Sequence, residues 1–306
     1  MLYFYTAAGL TLASEFELPG LIPSEPAAEP PQVRILLADV PAALENAIHR
    51  GPTWQANESR FLLRVPDVAH FEIVEGREIR VTPIGDCPVA EIAIFVIGTI
   101  LGILLHQRSQ IVLHASAVLV GGKAVLFCGP SAAGKSTMAA ALDQRGYPVV
   151  SDDVCALSFG GGRPYAHSDG RRLKLWEEAT RQLGLPAGEP IRGQLKKYYV
   201  EPGATRDKPV EVGAIYELCE ARRLGTEGIA PQNIVDAALL VRRNAYRPFL
   251  VRRMGQQALY LDAAARLANA AGIFTLTRSL DFAQMDMLIG RLEEHWSALG
   301  LLPRAA

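Results

Sequence analysis

The fold is decided by one stretch of the sequence, Gly129-Pro130-Ser131-Ala132-Ala133-Gly134-Lys135-Ser136-Thr137. Its residues have the Gly-x-x-x-x-Gly-Lys-Ser spacing of a phosphate-binding loop. An apolar run precedes the stretch, and the alanine-rich run that follows it favours a helix. The oxygens of a triphosphate need backbone N–H groups that point inward from a tight turn, with the N-terminus of a helix behind them. The stretch therefore predicts a strand, a loop and a helix that together bind a nucleotide.

Two side chains of this loop have defined roles in binding phosphate. The ammonium group of Lys135 is expected to contact the β- and γ-phosphates, and the hydroxyl of Ser136 to contact Mg²⁺. ATP and Mg are accordingly the predicted cofactors, although GTP or pyrophosphate would suit the same loop. The predicted cofactor-binding residues are Gly129, Ser131, Ala132, Ala133, Gly134, Lys135, Ser136 and Thr137. The alternative interpretation is a glycine-rich turn that only packs a helix against a strand.

Composition restricts the class of protein. The 306 residues are 49% hydrophobic and 21% charged, with a net charge of −1, which is typical of a soluble globular protein of one or two domains. This balance favours neither nucleic acid nor an anionic membrane as a partner. The four cysteines, Cys87, Cys128, Cys155 and Cys219, are far apart, so they indicate reduced thiols and a cytoplasmic location.

The apolar run Ile92–Leu105 is the one candidate for a membrane span. It is shorter than the ~20 residues that a bilayer requires, so a buried core helix is expected instead. Its Gly98-x-x-x-Gly102 spacing then indicates close packing of this helix against a neighbour. The first residues, from Met1 onward, lack a basic segment before their apolar residues, and we expect no signal peptide.

Short alternating runs over residues 1–86 predict strands, including an antiparallel meander over 60–82. We expect a β-rich N-terminal domain, 1–108, that ends in the buried helix, and a nucleotide-binding catalytic domain, 109–306, so the fold class is α/β. In the second domain the patterns predict strands and helices alike. The predicted strands are 111–120, 123–128, 147–157, 212–218 and 273–277, and the predicted helices are 173–185, 231–245, 256–271 and 281–299.

The adjacent carboxylates Asp152 and Asp153 come at the end of a predicted strand. Ligands of open α/β sheets bind at the carboxyl ends of strands, so the pair should lie near the loop. Phosphoryl transfer needs a carboxylate to hold Mg²⁺ or to accept the proton of the attacking hydroxyl. Neighbouring side chains on a strand point in opposite directions, so one of the two is expected to face the phosphate. The alternative is a solvated turn. His114, on the strand before the loop, could approach the pair or be a core histidine.

His114, the phosphate loop and the run Gly146–Asp153 together resemble the catalytic domain of the HPr kinase/phosphorylase family. The resemblance covers about residues 110–157 and implies a serine kinase with a phosphate-binding loop. It also implies that Asp152 is the general base, with His114 as its orienting partner, and that Ser136 and Asp153 serve the metal. The family forms assemblies, which suggests a homo-oligomer, although the residues here do not decide it.

The sequence departs from the bifunctional members of the family in two places. Their Glu-Ile-Arg-Gly-Leu-Gly run is matched only in part here, by the residues that begin at Glu189. We therefore do not expect phosphorylase activity. The opening residues, with Leu173–Trp176 and Lys197–Tyr199, resemble instead the shorter HPr-kinase-like proteins of peptide-modification gene clusters. Kinases of lasso peptide precursors are among these proteins.

Basic residues beyond the loop could supply further positive charge to a transferring phosphoryl group. They fall in three groups, Arg171-Arg172 with Lys174, Arg192 with Lys196-Lys197, and Arg242 through Arg253. A charge run is usually a solvated face, and that is the default expectation for each group. The candidates for a clamp on nucleotide or substrate are Lys196, Lys197 and Arg192.

The sequence therefore predicts an ATP- and Mg-dependent kinase that phosphorylates a serine of a peptide or small protein, with a lasso precursor as one acceptor. The first alternative is a small-molecule kinase of the shikimate or gluconate type, although such enzymes usually begin at the loop. The second alternative is a regulatory protein that binds a nucleotide without transferring phosphate.

Overall fold

The computed structural model describes residues 1–186, 188, 190–192, 195–200, 208–221 and 225–303. For residues 190–192 and 195–197 the description covers the backbone alone.

The N-terminal part of the chain forms one sheet, as its alternating pattern predicts. Its strands are β1 (Tyr3–Ala7), β2 (Leu10–Ser14), β3 (Val33–Leu37), β4 (His49–Arg50), β5 (Trp54–Ala56), β6 (Arg60–Val65), β7 (Ala69–Val74) and β8 (Glu78–Pro83). They lie in the order β1-β2-β3-β8-β7-β6-β5-β4. The pairs β2–β3 and β3–β8 are parallel and the remaining pairs are antiparallel, so the predicted meander is β6, β7 and β8.

A single apolar helix leads out of this sheet. It consists of α1 (Val89–Phe95), a π-helical turn (Val96–Ile100) and α2 (Leu101–Gln107). By length and composition the helix could cross a bilayer, but 61% of its apolar window is buried inside the protein. It packs on the first sheet, in a core that includes residues on both sides of position 108, among them Val112 and Tyr246. The helix is therefore a core helix here, and the division into domains at residue 108 stays a prediction.

A second, mixed sheet carries the phosphate loop. It begins with β9 (Ile111–Leu113), β10 (Ala115–Val120), β11 (Lys123–Cys128), β12 (Val149–Ser151), β13 (Cys155–Gly160) and β14 (Arg163–Ala166). Then, after a small separate sheet of β15 (Leu173–Trp176), β16 (Pro190–Arg192) and β17 (Leu195–Val200), come β18 (Val210–Glu220), β19 (Gly228–Pro231) and β20 (Gly272–Arg278). The order is β12-β10-β11-β18-β14-β13-β9, with β20 parallel to β18 and β19 antiparallel to β20.

Helices cover both faces of the second sheet, which gives the expected α/β fold. The remaining helices are α3 (Lys135–Gln144), α4 (Glu177–Gln182), α5 (Ile234–Arg243), α6 (Pro248–Arg253), α7 (Gln257–Ala270) and α8 (Met285–Ala298), with a 3₁₀ turn at Phe282–Gln284. Apolar side chains of α5 and α7 pack in one core, and those of α3 and α8 pack in another.

Two predicted strands are interrupted in the structure. The predicted strand 111–120 breaks at His114, after which β10 pairs with β11 and β12 while β9 pairs with β13. The predicted strand 147–157 breaks at Asp152-Asp153, between β12 and β13. Both interruptions lie beside the phosphate loop, so His114, Asp152 and Asp153 stand outside the regular strands.

The predicted helix 173–185 is wrong over its first turn. Leu173 and Leu175 are buried while Lys174 between them is half-buried, an alternation with the period of a strand, and β15 pairs with β17. The helix begins only at Glu177. The short helix α6, with Pro248 in its first turn, was not expected from the sequence.

Candidate active site

The phosphate loop joins β11 to α3 with the backbone that its glycines permit. Gly129 and Gly134 have φ values of 148° and 81°, which disfavour residues with a side chain. The helix begins at Lys135, whose ammonium group donates hydrogen bonds to the carbonyls of Gly129 (2.9 Å) and Pro130 (3.0 Å). The N–H groups at the start of α3 and this buried lysine are the groups that a polyphosphate requires, so the loop fits the predicted nucleotide.

Asp152 lies beside the hydroxyl group of the loop. Its Oδ1 accepts hydrogen bonds from Ser136 Oγ (2.8 Å) and Ser116 Oγ (2.5 Å), and its own N–H donates to Asp169 Oδ2 (2.6 Å). Burial raises the pKa of Asp152, against the effect of the hydrogen bond from Ser116. A carboxylate and a hydroxyl at hydrogen-bond distance are two hard oxygen ligands of the kind that Mg²⁺ accepts.

Among the described residues, no cluster of three or more His, Cys, Asp or Glu side chains could hold a metal ion. In proteins Mg²⁺ usually binds through one or two protein oxygens together with substrate phosphates and water. Ser136 and Asp152 would hold the ion here.

Asp153 faces the other way and contacts His114. Its Oδ1 is 2.9 Å from His114 Nδ1, and its Oδ2 is 3.6 Å from Arg171 Nη1. The backbone of Asp153 is left-handed, with φ of 76°, which turns its side chain away from that of Asp152. Burial disfavours the charged carboxylate, but the His114 hydrogen bond and the charge of Arg171 outweigh it, so the pKa of Asp153 is lowered.

The structure thus pairs these residues differently from the sequence interpretation. His114 contacts Asp153 rather than Asp152, and Ser136 contacts Asp152 rather than Asp153. The physical reason is the left-handed backbone at position 153, which directs the Asp153 side chain to His114 while Asp152 stays with Ser136. All the predicted catalytic and loop residues lie together, and their roles stay predictions.

Arg171 and Asp169 contact the acidic pair, Arg171 at Asp153 and Asp169 at Asp152. Arg171 is only 4% exposed, so the default interpretation of a solvated charge run is wrong for this residue. Its Nη2 donates to the carbonyl of Ile97 in the π turn, and its Nε lies 4.0 Å from Asp169 Oδ2. Burial raises the pKa of Asp169 to about 7, against the effect of the Arg171 charge.

Asn244 joins the histidine strand to the phosphate loop. Its carbonyl accepts a hydrogen bond from the N–H of His114 (2.7 Å), and its side-chain Oδ1 accepts one from the N–H of Gly129 (2.8 Å). Its side-chain amide group donates to the carbonyl of Leu240 (3.0 Å), which fixes its orientation. This residue sets the distance between His114 and the loop, and no sequence pattern marked it.

Arg278 lies against the other side of the loop. It ends β20, is 6% exposed, and donates through Nη2 to the carbonyl of Ala133. A Cβ atom added at Gly134 would come within 2.6 Å of this guanidinium group, so the glycine is also needed for its close approach. The Nε of Arg278 is buried without a hydrogen-bond partner. A buried, partly unsatisfied cation on a phosphate loop is well placed to contact a phosphate oxygen.

The catalytic candidates open onto a cleft of about 870 Å³. His114, Asp153 and Lys174 line it, together with the first residues of the phosphate loop. Burial, followed by the charge of Arg171, lowers the pKa of Lys174 to about 8. The core helix contributes Ile94, Phe95, Gly98 and Thr99 to the lining, and Tyr246, Arg247 and Pro248 continue it.

The predicted clamp falls outside the side chains that the structure describes. Arg192 lies on β16, and Lys196 and Lys197 lie on β17, where the backbone alone is described. Glu189 also lies outside the described residues. Arg192 ends β16 and residues 195–200 form β17, so the described part of this segment is strand, and the clamp stays a prediction.

Comparisons with known proteins agree with the resemblance seen in the sequence. No family model matches the chain. A curated HPr kinase/phosphorylase from Mycoplasmopsis pulmonis (strain UAB CTIP) is 39% identical over 91 residues, which are 29% of this chain and 29% of that protein. Among solved structures, the Hpr(Ser) kinase/phosphatase from Coxiella burnetii has a TM-score of 0.32 and 12% identity, covering 62% of this chain and 98% of that one. Over the segment that it shares with the curated relative, the chain is HPr-kinase-like.

Proposed function

We propose that this protein transfers the γ-phosphoryl group of ATP to a serine hydroxyl of a peptide or small protein. The observation that carries the proposal is that two adjacent carboxylates have different partners. Asp152 is bonded to Ser136 of the phosphate loop, and Asp153 is bonded to His114 and lines the cleft. One carboxylate is thus available to the metal side of the reaction and the other to the acceptor side.

On the metal side, Ser136 and Asp152 would hold Mg²⁺, which offsets the charge of the β- and γ-phosphates when bound. This assignment replaces Asp153 as the metal ligand, because the carboxylate within 2.8 Å of Ser136 Oγ is that of Asp152. Ser116 donates a second hydrogen bond to the same oxygen and holds the carboxylate in place.

On the acceptor side, Asp153 would orient the serine hydroxyl and accept its proton. The hydroxyl oxygen forms a bond to the γ-phosphorus, the bond from that phosphorus to the β–γ bridging oxygen breaks, and the proton passes to the Asp153 carboxylate. A base of low pKa is suited to this reaction, because phosphoryl transfer has a loose transition state in which positioning matters more than basicity. His114 and Arg171 hold Asp153 in its orientation.

Three cations lie at the phosphate loop and the cleft. Lys135 lies in the loop, Arg278 lies against Ala133 and Gly134, and Lys174 lines the cleft beside Asp153. Positive groups already in place when charge develops on the phosphoryl oxygens stabilise the transition state. This arrangement favours transfer over simple nucleotide binding, which requires no base and no third cation.

The nature of the acceptor follows from the sequence resemblance and from the cleft. A lasso peptide precursor or another peptide encoded beside this gene is the first acceptor to test, and phosphorylase activity is not part of the proposal. We also propose a cytoplasmic protein, since the four cysteines are far apart in the sequence and two of them, Cys128 and Cys155, are buried thiols. Assembly into a homo-oligomer stays a proposal.

The test is to incubate the protein with ATP, Mg²⁺ and peptides encoded beside its gene, followed by mass spectrometry of the peptides. A gain of one phosphoryl group on a serine is expected, and it should require Asp153. Transfer to a panel of small metabolites but not to peptides would instead favour the small-molecule kinase. Tight ATP binding with no phosphorylated product from any acceptor would favour the regulatory protein.

A further inference from the structure

The core helix changes from α to π geometry at the point where it passes the cleft. The π turn is Val96–Ile100, and Gly98 and Thr99 within it line the same cleft as His114 and Asp153. Single π turns inside α-helices are rare, and they recur at functional sites because the extra residue moves the backbone out of its regular path. The helix that emerges from the N-terminal sheet therefore builds one wall of the candidate active site.

Two arginines donate hydrogen bonds to the π turn, and one of them, Arg171, also contacts the proposed base. Buried Arg171 donates to the carbonyl of Ile97 and lies 3.6 Å from the carboxylate of Asp153. Arg247 donates to Thr99 Oγ1 (2.6 Å), and it does so from a left-handed backbone with φ of 52° at the start of α6. The wall is consequently held at a set distance from the proposed base.

The two glycines of the Gly-x-x-x-Gly pair have different reasons to be glycine. A Cβ atom at Gly102 would overlap the ring of Tyr246, so this glycine serves close packing, as its spacing predicts. A Cβ atom at Gly98 would meet nothing within 4 Å, although the residue itself is buried. Its open side is the cleft, so the absence of a side chain at position 98 leaves room for something that enters the cleft.

Apolar side chains flank Gly98 on the wall of the cleft, and Arg247, which is hydrogen bonded to Thr99, lies beside them. Ile94 and Phe95 precede Gly98 on the helix, and Tyr246 and Pro248 continue the wall. An apolar side chain next to the reacting serine would bury surface against these side chains, at about 25 cal/mol per Å².

We propose that the π turn is the acceptor-side wall of the cleft, and that Gly98 determines which side chains are accepted beside the reacting serine. The acceptor is then a serine with an apolar neighbour that packs over Gly98. This inference rests on the proposed function and adds the identity of the residues that select the acceptor. It assigns to the N-terminal part of the chain a share in substrate recognition.

The experiment compares Gly98→Leu with Gly290→Leu. Gly290 lies in α8, is likewise helical, and also has nothing within 4 Å of an added Cβ atom, but it is remote from the cleft. The probes are ATP and a library of serine peptides that is randomised on both sides of the serine. We expect Gly98→Leu to lower kcat/KM for peptides with large apolar neighbours about 100-fold, since a displaced acceptor loses its alignment. The affinity for ATP should stay that of the wild type, and Gly290→Leu should behave as the wild type.

Gly98→Ala extends the test in case the leucine variant does not fold. Alanine is favoured over glycine in a helix, so this variant should fold, and it should shift the preferred neighbour of serine toward smaller residues. Unchanged preferences across the library in Gly98→Ala, or in a folded Gly98→Leu, would overturn the inference and leave the proposed function standing. A wild-type protein that binds ATP but phosphorylates no peptide would overturn both.

Discussion

His114 Nδ1 lies 2.9 Å from the carboxylate of Asp153, and a second contact of 3.1 Å joins it to the backbone carbonyl of the same residue. The histidine thus holds both the side chain and the main chain of Asp153. Its own strand is interrupted at that point, and its N–H is bound by Asn244, which also holds the phosphate loop. The acceptor side and the nucleotide side of the site are therefore built as one unit.

Neutralising Asp152 and neutralising Asp153 should have different effects on ATP binding and on phosphoryl transfer. Asp153→Asn is expected to lower the rate of phosphoryl transfer about 10²- to 10⁴-fold while ATP and Mg²⁺ still bind, because it removes the proton acceptor. Asp152→Asn is expected to weaken Mg²⁺-dependent ATP binding at least about tenfold, because it removes a metal ligand. Titration calorimetry and single-turnover transfer measure the two effects separately.

Asp286→Asn serves as the control for both variants, since its carboxylate is 85% exposed and pairs with Arg145 at the surface. It should leave binding and transfer unchanged. The reverse pattern, in which Asp152→Asn abolishes transfer and spares binding, would restore the roles that the sequence resemblance implies.

The His114–Asp153 contact should control the acid limit of the reaction. Its hydrogen bond helps to lower the pKa of Asp153, so the carboxylate of the wild-type protein stays ionised as the pH falls. In His114→Ala this support is lost, the pKa of Asp153 rises, and the acid limb of kcat/KM should move to higher pH. The measurement is kcat/KM for a peptide acceptor between about pH 4 and pH 9. An acid limb at the same pH in both proteins would contradict the prediction.

Arg278 should contribute to binding of the nucleotide through its phosphates. Arg278→Met is expected to weaken ATP binding by about 1.5–3 kcal/mol, the usual contribution of a hydrogen bond to a charged group. Arg278→Lys should recover only part of this affinity, because an ammonium group lacks the planar fork of guanidinium. Fluorescence titration with ATP and with adenosine measures the effect, and only the ATP affinity should change.

Arg291→Met is the control for the loss of one positive charge without loss of a contact to the phosphate loop, because Arg291 lies on the exposed side of α8. If Arg278→Met weakened the binding of ATP and of adenosine equally, or unfolded at a much lower temperature than the wild type, the role of Arg278 would be in folding of the loop.

Asp169 should make the free energy of unfolding depend on pH. Burial raises its pKa to about 7 in the folded protein, whereas an unfolded aspartate has a pKa of about 3.9. The folded state therefore binds more protons across this range, and its stability should fall as the pH rises from about 4 to about 7. In Asp169→Asn this decline should be smaller. Urea unfolding of the nucleotide-free protein at several pH values within that range measures it, and equal slopes in the two proteins would contradict the prediction.

Much of the fold could be predicted because its signals are local. The phosphate loop carries its own spacing, the strands of the first sheet alternate with period two, and the core helix is apolar along its length. The start of the predicted helix at 173–185 was wrong because Leu173 and Leu175 fit a strand or a helix over so short a run. Their pairing with β17 decides between the two.

The candidate site was predicted in its parts but not in its connections. Arg171 looked like one member of a solvated charge run, yet the fold buries it between the π turn and the acidic pair. Asn244 and Arg278 are more than a hundred positions from the loop residues they contact, and neither belongs to a motif. Sequence reasoning had no signal for contacts of this kind.

The sequence by itself determined that a phosphate loop, a histidine strand and an acidic pair occur in this chain, because each depends on the order and type of neighbouring residues. Only the tertiary structure decided which carboxylate meets which partner. The left-handed backbone at Asp153, the break at His114 and the buried Arg171 direct Asp153 to the cleft and leave Asp152 with Ser136. Such directions are set by segments distant in sequence that pack together, and no local pattern records them.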